Sequence, residues 1–409
     1  MWLFELKQKY YRKQTNVDFN KLPNIYKKRS EILKIVMENS TPLFIADRQI
    51  LLDRLESLKK ALQKYWGNYK IAYSFKTNYE IAKLDLYKKE RLLAEVVSGR
   101  EYKMAKKLGY DGRQIIFNGP YKKDSELSVA LYEGALVNID NFEELERIIR
   151  FDKKSNLRRN VGIRVNTEIP NLQKSHFGFS IDTNEATLAV KKIYESRNLS
   201  LTNFHIHIGT DVDKVASYQI ATRKTCQFIV KNIPDYQRSI KSLDFGGGFP
   251  AHGLASYGRI RWNPKPIESY ILAISNELNK IYKVHKPTLI LEPGRYLVDD
   301  TVFFMTKITN SQKRNSSQIL TTDATVTMLP LIYYRPQIVK LFDRKLNEKK
   351  DDYVNSIIYG ASCREDDILY NNRLPKAGIG DFLIYYITGA YNQNMSSEFI
   401  FKKPNLYTI

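Results

Sequence analysis

A lysine closes an apolar, strand-like run in Ile71-Ala72-Tyr73-Ser74-Phe75-Lys76-Thr77-Asn78. Its ε-amine is a nucleophile once deprotonated, and such amines condense with carbonyl compounds. Standing alone, a lysine of this kind most often only reaches solvent. Four later segments change that weighting: His205-Ile206-His207-Ile208-Gly209-Thr210, Asp244-Phe245-Gly246-Gly247-Gly248-Phe249-Pro250, Leu291-Glu292-Pro293-Gly294-Arg295 and Gly389-Ala390-Tyr391. The consecutive glycines Gly246, Gly247 and Gly248 let backbone N–H groups approach an anion with no side chain between them. Glu292 is a carboxylate able to hold a ring nitrogen protonated, and Arg295 can neutralise a phosphate. His205 and His207 are two apart on a strand and face one side, so one of them can stack on a ring. A His-x-His metal pair is the competing reading. With five histidines in the chain and no cysteine or acidic ligand motif beside this pair, no metal is expected.

Cys363, in Tyr359-Gly360-Ala361-Ser362-Cys363-Arg364-Glu365-Asp366-Asp367, follows a β run. A thiol there either protonates a carbanion or fills space. Asp367 is placed to hold a substrate amine, and Tyr391 to donate to a phosphate; either also passes as an ordinary loop residue. Taken in order, a lysine, a histidine strand, a glycine cradle, an acid–arginine turn and a tyrosine read as a site for pyridoxal phosphate (PLP). There Lys76 bonds the aldehyde and the ring serves as an electron sink for charge at Cα.

These residues need a scaffold that gathers them. Strands are predicted over Lys70–Phe75, Arg91–Val97, Gln114–Asn118, Ala135–Ile139, Val161–Asn166, Ser200–Ile208, Ser242–Phe245 and Thr288–Glu292. Helical patterns over Arg100–Leu108, Asp124–Tyr132, Phe142–Phe151, Glu185–Tyr194, Val215–Asn232 and Pro266–Val284 alternate with them. About eight β-then-α units imply a closed (β/α)8 TIM barrel, with chemistry after the strand C-termini. Beyond residue 300, runs at Thr301–Thr309, Gln318–Thr321, Tyr353–Ile358 and Asp381–Ile387 read as a mainly β domain. The stretches Asp343–Asp352 and Tyr370–Gly378 read as turn-rich separators. The expected organisation is an N-terminal segment over 1–40 packing on the β domain, a cofactor-binding barrel over 41–300, and a β-sandwich or β-barrel-like domain over 301–409.

The chain has 409 residues, 43% of them apolar, with 28 Tyr and 19 Phe, which supplies ordinary cores and argues against disorder. No apolar run approaches membrane-spanning length and no secretory leader pattern opens the chain, so the expected location is cytoplasmic. Of the two cysteines, Cys226 lies in a helical pattern and reads as a buried small residue; a disulfide framework is not expected. A net charge of +21 attracts polyanions. Zinc-finger spacing, basic blocks and aromatic–basic signatures are missing from the sequence, so nucleic acid is not an expected partner, while an acidic partner or substrate carrier stays open.

On these motifs the chain resembles the group IV, fold type III PLP-dependent decarboxylases, which share their barrel with alanine racemase and include diaminopimelate, ornithine/arginine and carboxynorspermidine decarboxylases. The resemblance runs from about residue 40 to 405. It implies that Lys76 carries PLP and that His207 stacks on the ring. It further implies that Gly246, Gly247, Gly248, Arg295 and Tyr391 bind phosphate, that Glu292 meets the pyridine nitrogen, and that Arg164 lies beneath the cofactor. Glu95 falls where the family usually has aspartate. The resemblance makes Cys363 the acid that protonates Cα, and brings Cys363 and Asp367 from the neighbouring subunit of a head-to-tail homodimer. Two departures concern the substrate. Arg364 replaces the glutamate that holds a distal ammonium in diaminopimelate decarboxylases, and suits an anion. The family's Arg-Pro-x-x-Tyr aligns with Leu329-Pro330-Leu331-Ile332-Tyr333, keeping the tyrosine and losing the arginine; Arg335-Pro336 is a shifted alternative. The expected function is α-decarboxylation of an amino acid other than diaminopimelate, in a specialised biosynthetic pathway, with a carrier-tethered substrate open. The alternatives are a diaminopimelate, ornithine, lysine or arginine decarboxylase, an amino-acid racemase, and a catalytically silent regulatory homologue.

Overall fold

The computed structural model describes residues 19–152, 158–251, 255–256, 259–260, 264–335 and 337–409. Eight parallel strands close a barrel: Tyr69–Ser74, Leu93–Val96, Ile115–Phe117, Leu136–Ile139, Arg159–Asn166, Leu199–Ile206, Ser242–Asp244 and Thr288–Leu291. Closure is made where Leu289, Ile290 and Leu291 pair with Tyr69, Lys70 and Ile71. Each predicted barrel strand is present, with ends shifted by up to two residues. The covering helices bury the faces their spacing dictates. Val215–Asn232 turns Tyr218, Ala221, Thr222, Thr225, Cys226, Phe228 and Ile229 inward, at intervals of three and four. Helix Arg48–Tyr65, ahead of the first barrel strand, buries Leu51, Leu55, Leu58 and Leu62 in the same way. Asp47 caps it by accepting from the N–H groups of Gln49 and Ile50.

The second sheet runs in the order Ile338–Phe342, Phe382–Tyr386, Val302–Arg314, Ser317–Thr322, Tyr353–Tyr359, Ile368–Pro375. Val302–Arg314 carries both halves, with a bulge between Ile308 and Asn310. Two expectations change here. Leu43–Ala46, placed with the barrel from sequence, pairs antiparallel with Val302–Met305 and parallel with Leu406–Thr408. It therefore belongs to the second sheet, and the barrel's own strands begin at Tyr69. The supposed separator Tyr370–Gly378 is largely strand: Ile368–Pro375 pairs with Tyr353–Tyr359. Its Asn371-Asn372-Arg373 centre masks the pattern, while Leu369, Tyr370 and Leu374 supply the buried side. Residues 1–18 of the N-terminal segment lie outside the described residues. Beyond them, Leu22, Ile25 and Ile32 pack with Leu43, Ile45, Phe303, Ile338 and Ile384 of the second sheet. Among the described residues no helix is long and apolar enough to cross a membrane.

Candidate active site

Lys76 sits in a single 3-10 turn, Phe75–Thr77, directly after the first barrel strand. Its Nζ donates to both oxygens of Glu95, at 2.7 and 2.5 Å. Glu95 is buried in the next strand and also accepts from Ser74 Oγ and Asn118 Nδ2. The Gly389–Ser396 segment clamps the lysine turn. Asn394 Nδ2 donates to the Lys76 carbonyl at 2.9 Å, the Tyr391 N–H to the Thr77 carbonyl at 2.7 Å, and Asn78 Nδ2 to the Gly389 carbonyl at 2.7 Å. Gly294 permits the tight packing beneath, since a Cβ there would lie 2.1 Å from Thr77 Oγ1. The Lys76 side chain keeps 37% of its surface open. Burial of the ammonium pulls its pKa down, but the charges of Glu95 and Glu292 and the nearby Tyr391 overrule this and hold it above the ordinary lysine value.

Glu292 follows the last barrel strand and is buried. Burial favours its neutral form, but His205 with Nε2 at 3.3 Å, a proton shared from Asp244, and the Lys76 charge win, and the carboxyl stays well below the usual range. Asp244 goes the other way: its burial and the Glu292 charge push its pKa far up. His205, Asp244 and Glu292 each offer a ligand atom within 4.8 Å of the others, which has the composition of a cation site. His207 accepts from the Gly247 N–H at 3.3 Å, and burial together with the charges of Arg164 and Lys76 pushes its pKa down to about 3, so the ring is neutral.

The glycine loop is backbone-lined by necessity. A Cβ on Gly247 would lie 2.6 Å from the Glu292 carbonyl oxygen, and one on Gly248 would lie 2.3 Å from that of Gly209. Gly248 also has φ of +86°. Gly248→Ala is expected to destabilise the protein by about 1–3 kcal/mol and to weaken retention of a bound phosphate group. Thermal melting and retained phosphate-bearing ligand after desalting are the measurements; an unchanged Tm sinks the steric argument.

A chain of amides that the sequence reading missed runs inside the barrel. Asn118 Nδ2 lies 2.7 Å from Glu292 Oε1 and 3.1 Å from Glu95 Oε1. Asn118 Oδ1 accepts from Asn138 Nδ2, Asn138 Oδ1 from Asn203 Nδ2, and Asn203 Oδ1 from Ser242 Oγ, at 2.8, 2.7 and 2.7 Å. Gly162 leaves the room: a Cβ there would lie 2.0 Å from Asn138 Oδ1. The available signal was an asparagine inside Leu136-Val137-Asn138-Ile139, where β propensity disfavours it.

Comparison with known proteins decides what this arrangement is. Residues 49–299 match the family described as pyridoxal-dependent decarboxylase, pyridoxal binding domain. The chain belongs to the pyridoxal-dependent decarboxylases. The diaminopimelate decarboxylase of Bacillus methanolicus is 26% identical over 386 residues, 90% of this chain and 88% of that protein. That of Methanocaldococcus jannaschii is 26% identical over 385 residues, 90% of this chain and 86% of that protein. The crystal structure of diaminopimelate decarboxylase from M. jannaschii superposes with a TM-score of 0.79 at 24% identity, covering 92% of this chain and 88% of that one. The Paramecium bursaria Chlorella virus arginine decarboxylase gives 0.77 at 19% identity, over 93% of this chain and 100% of that one, and so shares the fold. The protein is thus an enzyme, an amino-acid decarboxylase on a TIM barrel with a mainly β C-terminal sheet.

The residues present fit the group that the family name implies. A nucleophilic lysine, an anionic buried glutamate, a neutral histidine and a side-chain-free loop lie at one mouth of the barrel. Of the other candidates, Arg164 faces Asp140 at 3.5 Å and stacks over Phe177 at 4.7 Å. Arg295 is held between Asp211 at 3.4 Å and Asp299 at 3.1 Å, with its guanidinium 4.8 Å from the Tyr391 ring.

The Cys363 segment of the decarboxylase lies on the second sheet. Cys363 is exposed. Asp367 is not: it is buried and accepts from the Val326 N–H, the Ser362 N–H and Ser362 Oγ. Its expected hold on a substrate amine therefore gives way to a structural one, since its oxygens are used in shaping the loop that presents Cys363. Arg364 is bidentate to Asp366 at 3.0 and 2.7 Å, 40% exposed, and beside Tyr333. Arg335 is buried and bidentate to Asp299 at 2.9 and 2.9 Å.

Proposed function

We propose that this decarboxylase removes the α-carboxylate from an amino acid other than diaminopimelate, in a homodimer where the partner's Cys363 completes each site. The observation that carries the decarboxylase reading is the Lys76 ammonium held against Glu95, within the field of Glu292, above the glycine loop. When bound, PLP supplies an electron sink for the charge left at Cα. The chain's residues do the rest. Glu95 holds and orients the Lys76 amine. Glu292, anionic, would keep the ring nitrogen protonated. Neutral His207 offers a ring face without adding a second positive charge. Gly246, Gly247 and Gly248 would bring N–H groups to the phosphate, and Arg295 and Tyr391 would help hold it. The Cα–carboxylate bond breaks, carbon dioxide leaves, and Cα takes the proton of the partner subunit's Cys363, which solvent restores.

The substrate reading rests on the altered distal residues. Tyr333 remains without its arginine, and Arg335, buried against Asp299, is committed elsewhere. Arg364 exchanges Asp366 for a substrate anion. The excess positive charge favours an acidic carrier protein delivering a tethered amino acid. The test is amine-product mass spectrometry on PLP-loaded protein with diaminopimelate, ornithine, lysine, arginine, glutamate and a carrier-tethered amino acid. Loss of carbon dioxide is expected from an acidic or tethered substrate, with kcat/KM falling in Arg364→Ala. Diaminopimelate as best substrate overturns the substrate reading, and an epimerised product that keeps its carboxylate overturns decarboxylation in favour of racemisation.

A further inference from the structure

Most polar residues of this site are explained by what they touch at the mouth, but the amide chain reaches far below it. Its direction is informative. Ser242 Oγ donates to Asn203, Asn203 to Asn138, Asn138 to Asn118, and Asn118 to the two carboxylates. Each amide oxygen is occupied by the donor beneath it, so each NH2 must point upward. Flipping Asn118 would set its oxygen against Glu95 and Glu292 and its NH2 against the Asn138 NH2. The links come from successive strands: Asn118 follows Ile115–Phe117, Asn138 lies in Leu136–Ile139, Asn203 in Leu199–Ile206 and Ser242 in Ser242–Asp244. The intervening strand contributes Gly162, whose missing side chain makes the path continuous.

We propose that Asn118 is a positioning residue, locked in one orientation by Asn138, Asn203 and Ser242, that ties the lysine's partner Glu95 to the ring-nitrogen acid Glu292. It acts through both carboxylates. An N–H donated to a carboxylate favours its charged form. Asn118 therefore helps keep Glu292 anionic in a place where burial opposes the charge. It also fixes the spacing between the group that holds the lysine and the group that holds the ring. A barrel interior of apolar side chains would leave both carboxylates to find their own rotamers.

This inference rests on Glu292 meeting the pyridine nitrogen, and the experiment separates the two. PLP binding is followed by absorbance after desalting, from pH 8 down to pH 4, for the wild type, Asn118→Leu and Asn118→Ser. Leucine has nearly the shape of asparagine and no donor; serine is too short to bridge both oxygens and serves if leucine perturbs folding. The expected result is that the PLP release midpoint moves to higher pH in both variants, through loss of the donor that serves Glu95 and Glu292 together, with Kd at pH 7.5 raised about tenfold. A purely structural role would lower Tm and weaken PLP equally at every pH, leaving the release midpoint in place. A wild type that binds PLP, with variant midpoints unmoved, overturns this inference alone. A wild type that forms no PLP band overturns the cofactor reading and this inference with it.

Discussion

Lys76→Ala is expected to lower kcat on the order of 10⁴-fold or more, because it removes the nucleophile proposed to anchor the cofactor. The variant should also lose the absorbance of lysine-bound PLP while still binding the phosphate end weakly at the glycine loop. A second effect follows in protein without cofactor. Lys76 is the cation against buried Glu95, which among the described residues otherwise accepts from Ser74 and Asn118. Removing it leaves a buried carboxylate short of its main partner, a loss of about 1–3 kcal/mol. The raised pKa of Lys76 gives this loss a sign with pH. The pairing is fully present below the ordinary lysine pKa and is lost as pH rises through the higher folded value. The Tm gap between wild type and Lys76→Ala should therefore be constant from pH 6 to 9 and close only in strong alkali. Turnover retained within tenfold by Lys76→Ala would remove the lysine from the chemistry. A Tm gap that closes by pH 7 would show that its ammonium is not held as described.

How much of this was legible in the sequence depends on which physical rule governed each element. The barrel strands announced themselves because parallel strands covered on both faces read as short apolar runs, such as Ile71–Phe75 and Thr288–Leu291. Lys76, His207 and Glu292 stood out because each is a polar residue directly after such a run. The second sheet was less legible. Leu43–Ala46 is as apolar as a barrel strand, and only its pairing with Val302–Met305 and Leu406–Thr408 assigns it. Pairing between residues so far apart leaves no local trace. Ile368–Pro375 was hidden by the consecutive polar residues Asn371, Asn372 and Arg373 at its centre. Asp367 illustrates a different limit: sequence gives an acid near a cysteine, but not whether its oxygens face a substrate or, as here, the N–H groups of Val326 and Ser362. Asn118, Asn138, Asn203 and Ser242 were invisible as a set because their spacing follows the barrel circumference and not the chain.

Glu292→Gln is expected to lower kcat by about 10²–10³-fold, since a neutral amide cannot keep the pyridine nitrogen protonated and the charge it stabilises develops only during reaction. Its KM should change less than its kcat. Cofactor-free stability gives an independent reading, because Glu292 and Asp244 depend on pH in opposite senses. Glu292 has a folded pKa below the ordinary value of about 4.3, so its contribution is present above that pH and is lost as pH falls through the folded value. Asp244 has a folded pKa far above about 3.9, so its contribution is present below that pH and is lost as pH rises. Asp244→Asn should imitate the protonated acid. The amide oxygen still accepts from the Gly246 N–H, 2.9 Å from Asp244 Oδ1, and the NH2 replaces the proton shared with Glu292. Its Tm is therefore expected to match the wild type near pH 4 and to exceed it at pH 8, with PLP binding retained. Glu292→Gln should instead flatten the loss of stability on acidification. An Asp244→Asn variant destabilised as much at pH 8 as at pH 4 would mean that Asp244 is ionised in the folded enzyme. Glu292 would then need His205 and Lys76 to outweigh a second buried negative charge, and the anionic glutamate at the ring nitrogen would lose its simplest physical basis.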